Sequence, residues 1–485
     1  MRQKVLELTI ALFIVVIGVI LTSIGTGTGI GVQEAVSVYS FHESQHDVMD
    51  DDSAVIGERA ESEGLAVEES KYVIYINWDG FAYDFYEWAN SPGGPGTPVL
   101  NYLASRGALY TNAHTGLPGT TVPMQTSIVT GAWPAVHGNT RLYYDSGLNI
   151  VRQMDRENSS ETIAEVVAES GLSSASVQQF TLYRRGTWPD DPSHLYVQPS
   201  GSWHNRVAEA IKILKQEAVT LGDGRLVVVP EIPQFLAIYA DDLDTIGHNQ
   251  GISYGFSLAF NYEAWRDRLI RKLAYMDSDL GLLVDTLKGL GILDRTAIIL
   301  TSDHGMSHFE GETSLPDVLD TLGALGYTAE ILSAGDKASR HTDIVLVGGD
   351  LSLQFYFRGN ITLPEYNEII DTLKEKPYFG GYLSFHELAK QGAHPDLGSL
   401  LIWAKPPHHF EPGNLLLRVG GHHNSGDESS RRVFMLLSGA GIKPGIVVDR
   451  PASIIDVAPT MSHLLGVREP ADSMGRVLEE VITGN

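Results

Sequence analysis

Cysteine is absent from the 485 residues of this chain. Without thiols the chain can form neither a disulfide framework nor a thiolate metal site. Any metal ion must therefore be held by oxygen and imidazole ligands, and the cellular compartment has to be inferred from another part of the sequence.

Basic residues are scarce as well. The chain has 34 Lys and Arg against 60 Asp and Glu, which gives a formal net charge of −26. Polyphosphate backbones are held mostly by Lys and Arg, so this balance argues against a nucleic-acid polymer as the main partner. Part of the acidic excess is local, because residues 34–70 contain eleven acids and one Arg. With little periodic hydrophobicity, residues 26–70 are predicted to be an acidic disordered linker.

One long apolar run occurs, and it lies at the N-terminus. A short basic segment, residues 1–4, precedes eighteen almost uncharged residues at 8–25. This length is at the lower limit for spanning a bilayer, so residues 1–25 are predicted to be a signal peptide or a membrane anchor. No convincing small-x-small cleavage site follows Ser23, which favours an uncleaved anchor over a cleaved signal. In either case the remaining chain would be extracytoplasmic.

From residue 71 onward, short apolar runs alternate with segments of helical periodicity. Strands are predicted at 71–77, 235–239 and 297–301, and a long amphipathic helix at 262–290. This alternation predicts an α/β fold with a mostly parallel central sheet and helices on both faces. Between 309 and 418 the pattern becomes irregular, which predicts an inserted cap region within a single catalytic domain at 71–485.

Three aspartates, three histidines and one threonine stand where apolar runs end. They are Asp79, Thr121, Asp244, His248, Asp303, His304 and His422. An open α/β sheet presents its ligands at the carboxyl ends of its strands. Carboxylates and neutral imidazoles are natural ligands of zinc and its first-row neighbours.

Several of these assignments have competitors nearby. Asp241 and Asp242 precede Asp244, and His423 follows His422. In isolation, Asp79 followed by Gly80 would be a turn.

The order and local sequence of these residues resemble the alkaline phosphatase superfamily, within it the type I phosphodiesterase/nucleotide pyrophosphatase branch. The motifs are Asp79-Gly80, Thr121-x-Pro123, an Asp-x-x-Gly-His pattern with one extra residue at 244–248, Ser302-Asp303-His304-Gly305 and Gly-x-His at 420–422. Five motifs in this order are a strong signal over residues 71–485.

The resemblance implies an alkaline-phosphatase-like fold and two divalent metal ions, zinc foremost, with manganese or iron as alternatives. One ion would be held by Asp79, Thr121, Asp303 and His304. The other would be held by the Asp244, His248 and His422 side chains.

Thr121 is the predicted nucleophile. A threonine hydroxyl becomes competent when a metal ion holds it, and attack on phosphorus would form a phosphothreonine that activated water then hydrolyses. Thr120 is the alternative nucleophile. For either threonine in isolation a helix cap is the simpler interpretation.

Other absences narrow the substrate. The chain lacks the Cys or Ser with x-Pro-x-Arg of a sulfatase, and residues 122–140 contain no Lys or Arg. A monoester dianion would need such a cation, so diester turnover is predicted to exceed monoester turnover by about tenfold or more. Arg141, Arg184 and Arg185 are the residues that could reverse this preference.

Two departures from the resemblance concern substrate recognition. Val122 stands where nucleotide-hydrolysing members have an aromatic residue that stacks on the base. Asn139 lies a few residues before the position of the family's phosphate-binding asparagine. It is a candidate substrate-binding residue, and a turn residue is the alternative interpretation.

The sequence thus predicts a metal-dependent hydrolase of phosphodiester or nucleotide pyrophosphate bonds. Its substrate would be a small phosphoester, with a nucleotide or a lipid headgroup as candidates, and its N-terminal segment would contact the membrane. A phosphomonoesterase and a phospho-headgroup transferase are the alternatives on the same fold, and a catalytically silent surface-binding protein is a third.

Overall fold

The computed structural model describes residues 71–412 and 418–484. The predicted signal peptide or anchor at 1–25 and the acidic linker at 26–70 lie outside these residues. Within the described ranges, no helix combines the length and apolarity needed to cross a membrane.

The described residues alternate between strands and helices along most of their length. The strands are β1 Tyr72–Trp78, β2 Gly107–His114, β3 Leu142–Asp145, β4 Ile150–Gln153, β5 Ser174–Val177, β6 His194–Val197, β7 Val219–Thr220, β8 Leu226–Val227, β9 Phe235–Ala240, β10 Thr296–Thr301, β11 Ser307–Glu310, β12 Ala329–Leu332, β13 Ile344–Gly348, β14 Ser352–Phe357, β15 Phe379–Ser384, β16 Leu400–Ala404, β17 Val419–His422, β18 Arg432–Gly439, β19 Ile446–Val448 and β20 Ala452–Ser453. The α-helices are α1 Tyr83–Ala89, α2 Pro98–Ser105, α3 Thr121–Thr130, α4 Pro134–His137, α5 Ile163–Glu169, α6 Trp203–Leu214, α7 Asp242–His248, α8 Tyr262–Gly289, α9 Leu315–Ala324, α10 Leu363–Lys374, α11 Phe385–Lys390, α12 Glu428–Arg431 and α13 Val457–Leu465.

A central sheet organises the molecule. Its strand order is β19-β2-β18-β10-β1-β9-β5-β6, with β20 beside β2. The run from β10 to β6 is parallel, and β18 is antiparallel to both of its neighbours. The predicted fold class, an α/β protein with a mostly parallel central sheet, is confirmed.

The sheet is covered on both faces because its central strands are apolar throughout. Every residue of β1 is buried, and alternate side chains enter different cores. Ile74 and Ile76 pack with the core under α1, α6 and α8, whereas Val73 and Tyr75 pack with the core under α3, α5 and α13. A strand that is buried on both sides has a continuous run of apolar residues, and β1 could therefore be predicted from the sequence.

A second sheet lies within the range predicted for the insertion, 309–418. It has the order β12-β13-β14-β16-β15 and is mixed, since only β12 and β13 pair in parallel. Leu346, Phe355 and Ile402 contribute to a hydrophobic core of its own. The bounds predicted for the insertion and for the catalytic domain stay predictions.

Candidate metal centre

Parallel pairing brings the predicted site residues to one edge of the central sheet. In the register, Asn77 of β1 is opposite both Thr301 of β10 and Tyr239 of β9. Asp79 follows the end of β1, and Asp303 follows the end of β10, so their carboxylates meet where the neighbouring strands finish.

Gly80 allows this edge to be crowded. It has a φ of 72°, and a Cβ at this position would lie 3.0 Å from the Asp244 Cα. Only glycine adopts this backbone region without strain while permitting such a close approach. The Asp-Gly pair is therefore a turn, and the turn serves to place Asp79 beside Asp244.

The first cluster contains Asp79, Thr121, Asp303 and His304. The Nε2 atom of His304 lies 3.2 Å from the Thr121 Oγ1, 3.2 Å from the Asp79 Oδ1 and 3.4 Å from the Asp303 Oδ2. The Nδ1 of the same ring lies 3.0 Å from the carbonyl oxygen of Gly305. A proton on Nδ1 donated to that carbonyl leaves the Nε2 lone pair free to bind a cation.

The carboxylates of this edge are deeply buried. Burial raises the pKa of the Asp79 carboxyl well above its usual range, and the charges of Asp303 and Asp244 raise it further. Burial also raises the pKa of Asp303. Within the described residues, the Asp79 Oδ1, Asp303 Oδ2 and Asp244 Oδ1 meet no donor other than imidazole nitrogens: the Nε2 of His304 lies beside the first two, and the Nε2 of His248 lies beside the third. Buried carboxylate oxygens with this little compensation are suited to a bound cation.

The second cluster starts from α7. A short helix places Asp244 and His248 four residues apart on one face, with 3.2 Å between Oδ1 and Nε2. Burial lowers the pKa of His248, but the charge of Asp244 outweighs burial and brings that pKa to about 9. Burial raises the pKa of Asp244, but the charge of His248 outweighs it, and the net pKa lies below the usual range.

His422 and His423 both reach this cluster, in different settings. The Nδ1 of His423 lies 2.8 Å from the carbonyl oxygen of Gly119, and its Nε2 lies 3.6 Å from the Asp244 Oδ1. The Nδ1 of His422 instead accepts a hydrogen bond of 3.0 Å from the backbone N–H of His423, and its Nε2 lies 3.2 Å from the Asp350 Oδ1. Burial lowers the pKa of both imidazoles well below its usual value.

These contacts distinguish the two rings. A neutral imidazole that accepts at Nδ1 carries its proton on Nε2, so the Nε2 of His422 is a donor to Asp350. His423 has the opposite arrangement, with its Nε2 lone pair directed at Asp244. Three overlapping groups of potential metal ligands result: Asp79 with Asp303 and His304, Asp244 with His304 and His423, and His248 with His422 and His423.

A cavity of about 290 Å³ opens onto both clusters. Its volume is at the lower end of the range usual for small-molecule sites. Thr121, Val122, Asp244, His248 and His423 contribute to its lining. Thr121 is also the first residue of α3, so the positive end of that helix faces the same space.

Thr120 lines the cavity too, but its Oγ1 has no hydrogen-bond partner within the described residues. It is the N-cap residue of α3 without a side-chain capping bond. The hydroxyl that lies beside an imidazole of the first cluster is that of Thr121.

Asn139 occupies a different environment from the one predicted. Its side chain is buried, its Nδ2 donates to the carbonyl oxygen of Glu157 at 3.0 Å, and its Oδ1 accepts from the backbone N–H of Arg141 at 3.0 Å. Asn139 does not line the cavity described above. These contacts suit the turn-residue alternative, and the substrate-binding role stays a prediction.

The three arginines that could affect substrate preference are separated by the fold. Arg185 is paired with Glu165 at 2.6 Å and donates to two backbone carbonyls. Arg184 is exposed and lies against the ring of Tyr183. Arg141 lines the cavity.

Two further residues of the site gave weak signals in the sequence. Tyr239 is the second-last residue of β9, and its hydroxyl donates a hydrogen bond to the Asp79 Oδ2. Asp350 lies in the connection between β13 and β14 of the second sheet, after the glycines at 348 and 349, which both have positive φ. Tyr239 could have been found from its place at a strand end, whereas Asp350 lies in the irregular segment where the sequence carried no motif.

The central sheet has the architecture of an alkaline-phosphatase-like α/β fold, with the polar groups at the carboxyl edge of its parallel strands. Residues 73–377 match the model of the type I phosphodiesterase/nucleotide pyrophosphatase family, and the chain belongs to that family. The predicted family is confirmed.

Known proteins of low sequence identity to this chain support the family assignment. The chain is 26% identical over 251 residues to human ectonucleotide pyrophosphatase/phosphodiesterase family member 1, covering 49% of this chain and 24% of the human protein. It is 25% identical over 282 residues to the alkaline phosphatase PafA of Elizabethkingia meningoseptica, covering 54% of this chain and 48% of that protein. The matched regions therefore span between about a quarter and a half of these relatives.

Solved structures show the same fold. Murine ectonucleotide pyrophosphatase/phosphodiesterase 5 superposes with a TM-score of 0.58 at 16% identity, covering 85% of this chain and 100% of the murine chain. An inactive variant of the murine protein in complex with AMP superposes with a TM-score of 0.57 at 17% identity, covering 82% of this chain and 96% of that one.

Proposed function

We propose that the protein hydrolyses phosphodiester or nucleotide pyrophosphate bonds through a covalent intermediate on Thr121 at a site for two divalent metal ions. The observation that carries the proposal is the convergence of three carboxylates and the imidazoles beside them. Asp79 and Asp303 are buried, Asp244 is 16% exposed, and an imidazole Nε2 lies within 3.4 Å of a carboxylate oxygen of each. A cluster of this kind is costly unless cations bind it.

The donor set fits zinc or a related ion. Asp79, Asp303, His304 and Thr121 would hold one ion through oxygen and imidazole ligands. The chemistry that two such ions supply when bound is Lewis-acid stabilisation of the phosphoryl charge and a lower pKa for a hydroxyl or a water.

For the second ion we propose Asp244, His248 and His423. The sequence predicted His422 in the third position, and that assignment stays a prediction. The geometry favours His423 because its Nδ1 is occupied by a carbonyl acceptor and its Nε2 is free, whereas a backbone N–H donates to the Nδ1 of His422. His422 would then orient Asp350, whose Oδ1 lies 3.2 Å from its Nε2.

The residues of this chain divide the reaction into two displacements. Thr121 loses its hydroxyl proton to solvent, its Oγ1 attacks phosphorus, and the leaving alcohol or phosphate departs and takes up a proton. The phosphoryl group, with its remaining substituent, is then esterified to Thr121. Water attacks the same phosphorus, Thr121 leaves and regains a proton, and the site is restored. The N-terminus of α3 stabilises the negative charge of the phosphoryl group in both steps.

A phosphomonoesterase and a phospho-headgroup transferase use the same first displacement and differ in the group around phosphorus or in the acceptor. The cavity of about 290 Å³ suits a small phosphoester, and Val122 in its lining offers no aromatic ring for a base. Nucleotides and lipid headgroups are both candidate substrates.

An extracytoplasmic location is proposed because the N-terminal residues have the composition of a signal peptide or anchor, and the human relative is named an ectonucleotide enzyme.

The proposal is tested by turnover of bis(p-nitrophenyl) phosphate alongside the matching monoester and sulfate, with metal analysis of the same preparation. We expect phosphoester turnover that is lost on chelation and restored by zinc, and no significant sulfate turnover. A purified protein with neither bound transition metal nor metal-restored activity would instead support a silent binding protein on this fold.

A further inference from the structure

We propose that Arg141 binds an additional negatively charged oxygen of the substrate. The site would then favour phosphomonoesters and phosphoanhydrides, in which the reacting or the neighbouring phosphate carries an extra charge, over diesters of uncharged alcohols. This inference rests on the proposed function and specifies its substrate class.

Among the described residues, Arg141 is the one Lys or Arg in the lining of the cavity to which Thr121 also contributes. The sequence argument for a diester preference depended on the lack of cations at 122–140, and Arg141 is the next residue. Its position in the fold removes the premise of that argument, because Arg141 and the proposed nucleophile Thr121 line one small cavity.

The backbone holds Arg141 in an unusual conformation. Its φ is 67°, a left-handed value that few residues other than glycine adopt. The conformation is fixed from both sides, since the N–H of Arg141 donates to the Asn139 Oδ1 at 3.0 Å and its carbonyl accepts from the N–H of Met154 at 2.7 Å. Asn139 is itself anchored to the carbonyl of Glu157 at 3.0 Å. Locally unfavourable conformations that the surroundings enforce are common at ligand-binding sites.

The guanidinium is positioned but still has donors to offer. Its Nη1 donates to the Met154 carbonyl and the Asp155 carboxylate, both at 3.2 Å. Within the described residues, its Nε and Nη2 have no partner. The Asp155 side chain is 77% exposed, so its ion pair with Arg141 is weak. Three N–H groups of the planar guanidinium therefore remain for a phosphate, which such a fork binds well.

The carboxylates in the cavity lining do not compensate this charge. Asp244 and Asp350 each face an imidazole, with 3.2 Å from Asp244 to His248 and 3.2 Å from Asp350 to His422. Arg141 is therefore left to pair with the substrate. A third charged phosphoryl oxygen, or a second phosphate, would form a charge-assisted hydrogen bond that an esterified oxygen cannot match.

The experiment compares wild type, Arg141→Gln and Arg141→Lys as zinc-loaded proteins. The substrates are p-nitrophenyl phosphate as monoester, ATP as phosphoanhydride and bis(p-nitrophenyl) phosphate as diester. We expect Arg141→Gln to lower kcat/KM for at least one of the two more highly charged substrates, the monoester and ATP. That loss should be about tenfold larger than the loss for the diester. Loss on the monoester alone places the extra oxygen on the reacting phosphorus, and loss on ATP alone places it on the neighbouring phosphate. Arg141→Lys should retain part of the effect, because it keeps the charge but not the fork.

Arg184→Gln is the matched control, since Arg184 also has a left-handed φ, 59°, but lies outside the cavity. A binding measurement that needs no turnover accompanies the kinetics: calorimetry with inorganic phosphate and with dimethyl phosphate, of which Arg141→Gln should weaken only the first. Equal loss on all substrates, no loss, or the same loss in Arg184→Gln would overturn the inference. If wild type turns over none of the substrates, the proposed function fails, and the phosphate-binding difference alone decides the role of Arg141.

Discussion

At the scale of single residues, His137 shows how burial couples protonation to stability. Its side chain is buried at the end of α4, and its Nε2 lies 3.0 Å from the Ser127 Oγ. Burial, followed by the charge of His394, lowers the pKa of His137 to about 3. The unfolded chain therefore binds a proton at this site in a pH range where the folded protein does not.

We predict that the free energy of unfolding contains a contribution from His137 that is fully present above pH of about 6.5 and is lost as the pH falls toward about 3. Its slope would approach, at most, about 1.4 kcal/mol per pH unit. Denaturant unfolding of metal-free protein between pH 7.5 and 5 should therefore show a smaller pH dependence in His137→Gln than in wild type. The exposed His463, changed to Gln, is the control and should behave as wild type; equal slopes in all three proteins would contradict the prediction.

Residue identities at strand ends were predictable, whereas side-chain settings were not. Asp79, Asp303 and His304 follow apolar strands, so sequence pattern alone placed them at one edge. The choice between His422 and His423 depends on which ring nitrogen receives a backbone hydrogen bond. Nothing in a pair of adjacent histidines specifies that.

At the scale of elements, the end of β17 determines how the second cluster is built. His422 is the last residue of the strand and is opposite Ser307 of β11 in the register, and His423 follows it. Adjacent residues of an extended chain point in different directions. One histidine can therefore face Asp244 while the other faces Asp350.

We predict that His423→Ala loses one of two bound zinc ions and that His422→Ala retains both. The expected difference follows from the free Nε2 of His423 and the occupied Nδ1 of His422. Zinc content of the purified variants, measured by elemental analysis with circular dichroism as the check on folding, decides the matter. Loss of zinc in His422→Ala with full content in His423→Ala would restore the assignment predicted from the sequence.

Long elements were easier to predict than short ones. The helix α8 and the strands β1, β9 and β10 occur within one or two residues of their predicted bounds, because each has a continuous or strictly periodic apolar pattern. No secondary structure was predicted for the segment that forms α7. It has seven residues with two acids in its first turn, and its sequence is as typical of a loop as of a helix.

At the scale of the whole molecule, the metal ions are expected to stabilise the fold. The site draws residues from α3, α7 and the segments that directly follow β1, β10 and β17, which together span most of the described chain. A ligand that binds only the folded state adds about 2.7 kcal/mol at a hundredfold excess over its Kd. Bound cations would also relieve the repulsion between Asp79 and Asp303.

We predict that chelation lowers the thermal midpoint and that added zinc restores it in a concentration-dependent way. Differential scanning calorimetry with and without chelator measures the shift. The variant Asp79→Asn serves as the control, because it should show a smaller shift than wild type. A midpoint that does not depend on chelator would contradict binding of metal ions to the folded protein.

The overall organisation could be predicted only in part. The motifs between Asp79 and the histidine pair at 422–423 lie far apart in the sequence, so a single site implied a single central sheet. The structure has that sheet. The wall of the cavity contributed by the second sheet could not be predicted, because Asp350 and Gln354 reach it through tertiary packing rather than through a local pattern.

The central claim is that Thr121 is the nucleophile of a metal-dependent phosphoester hydrolase. The most direct measurement is kcat/KM for bis(p-nitrophenyl) phosphate in wild type, Thr121→Ala and Thr120→Ala, with zinc content determined on the same samples. The account predicts a loss of about a thousandfold or more in Thr121→Ala, with zinc content largely retained because three other ligands remain, and near wild-type turnover in Thr120→Ala. Activity retained in Thr121→Ala and lost in Thr120→Ala, or retained in both, would contradict it.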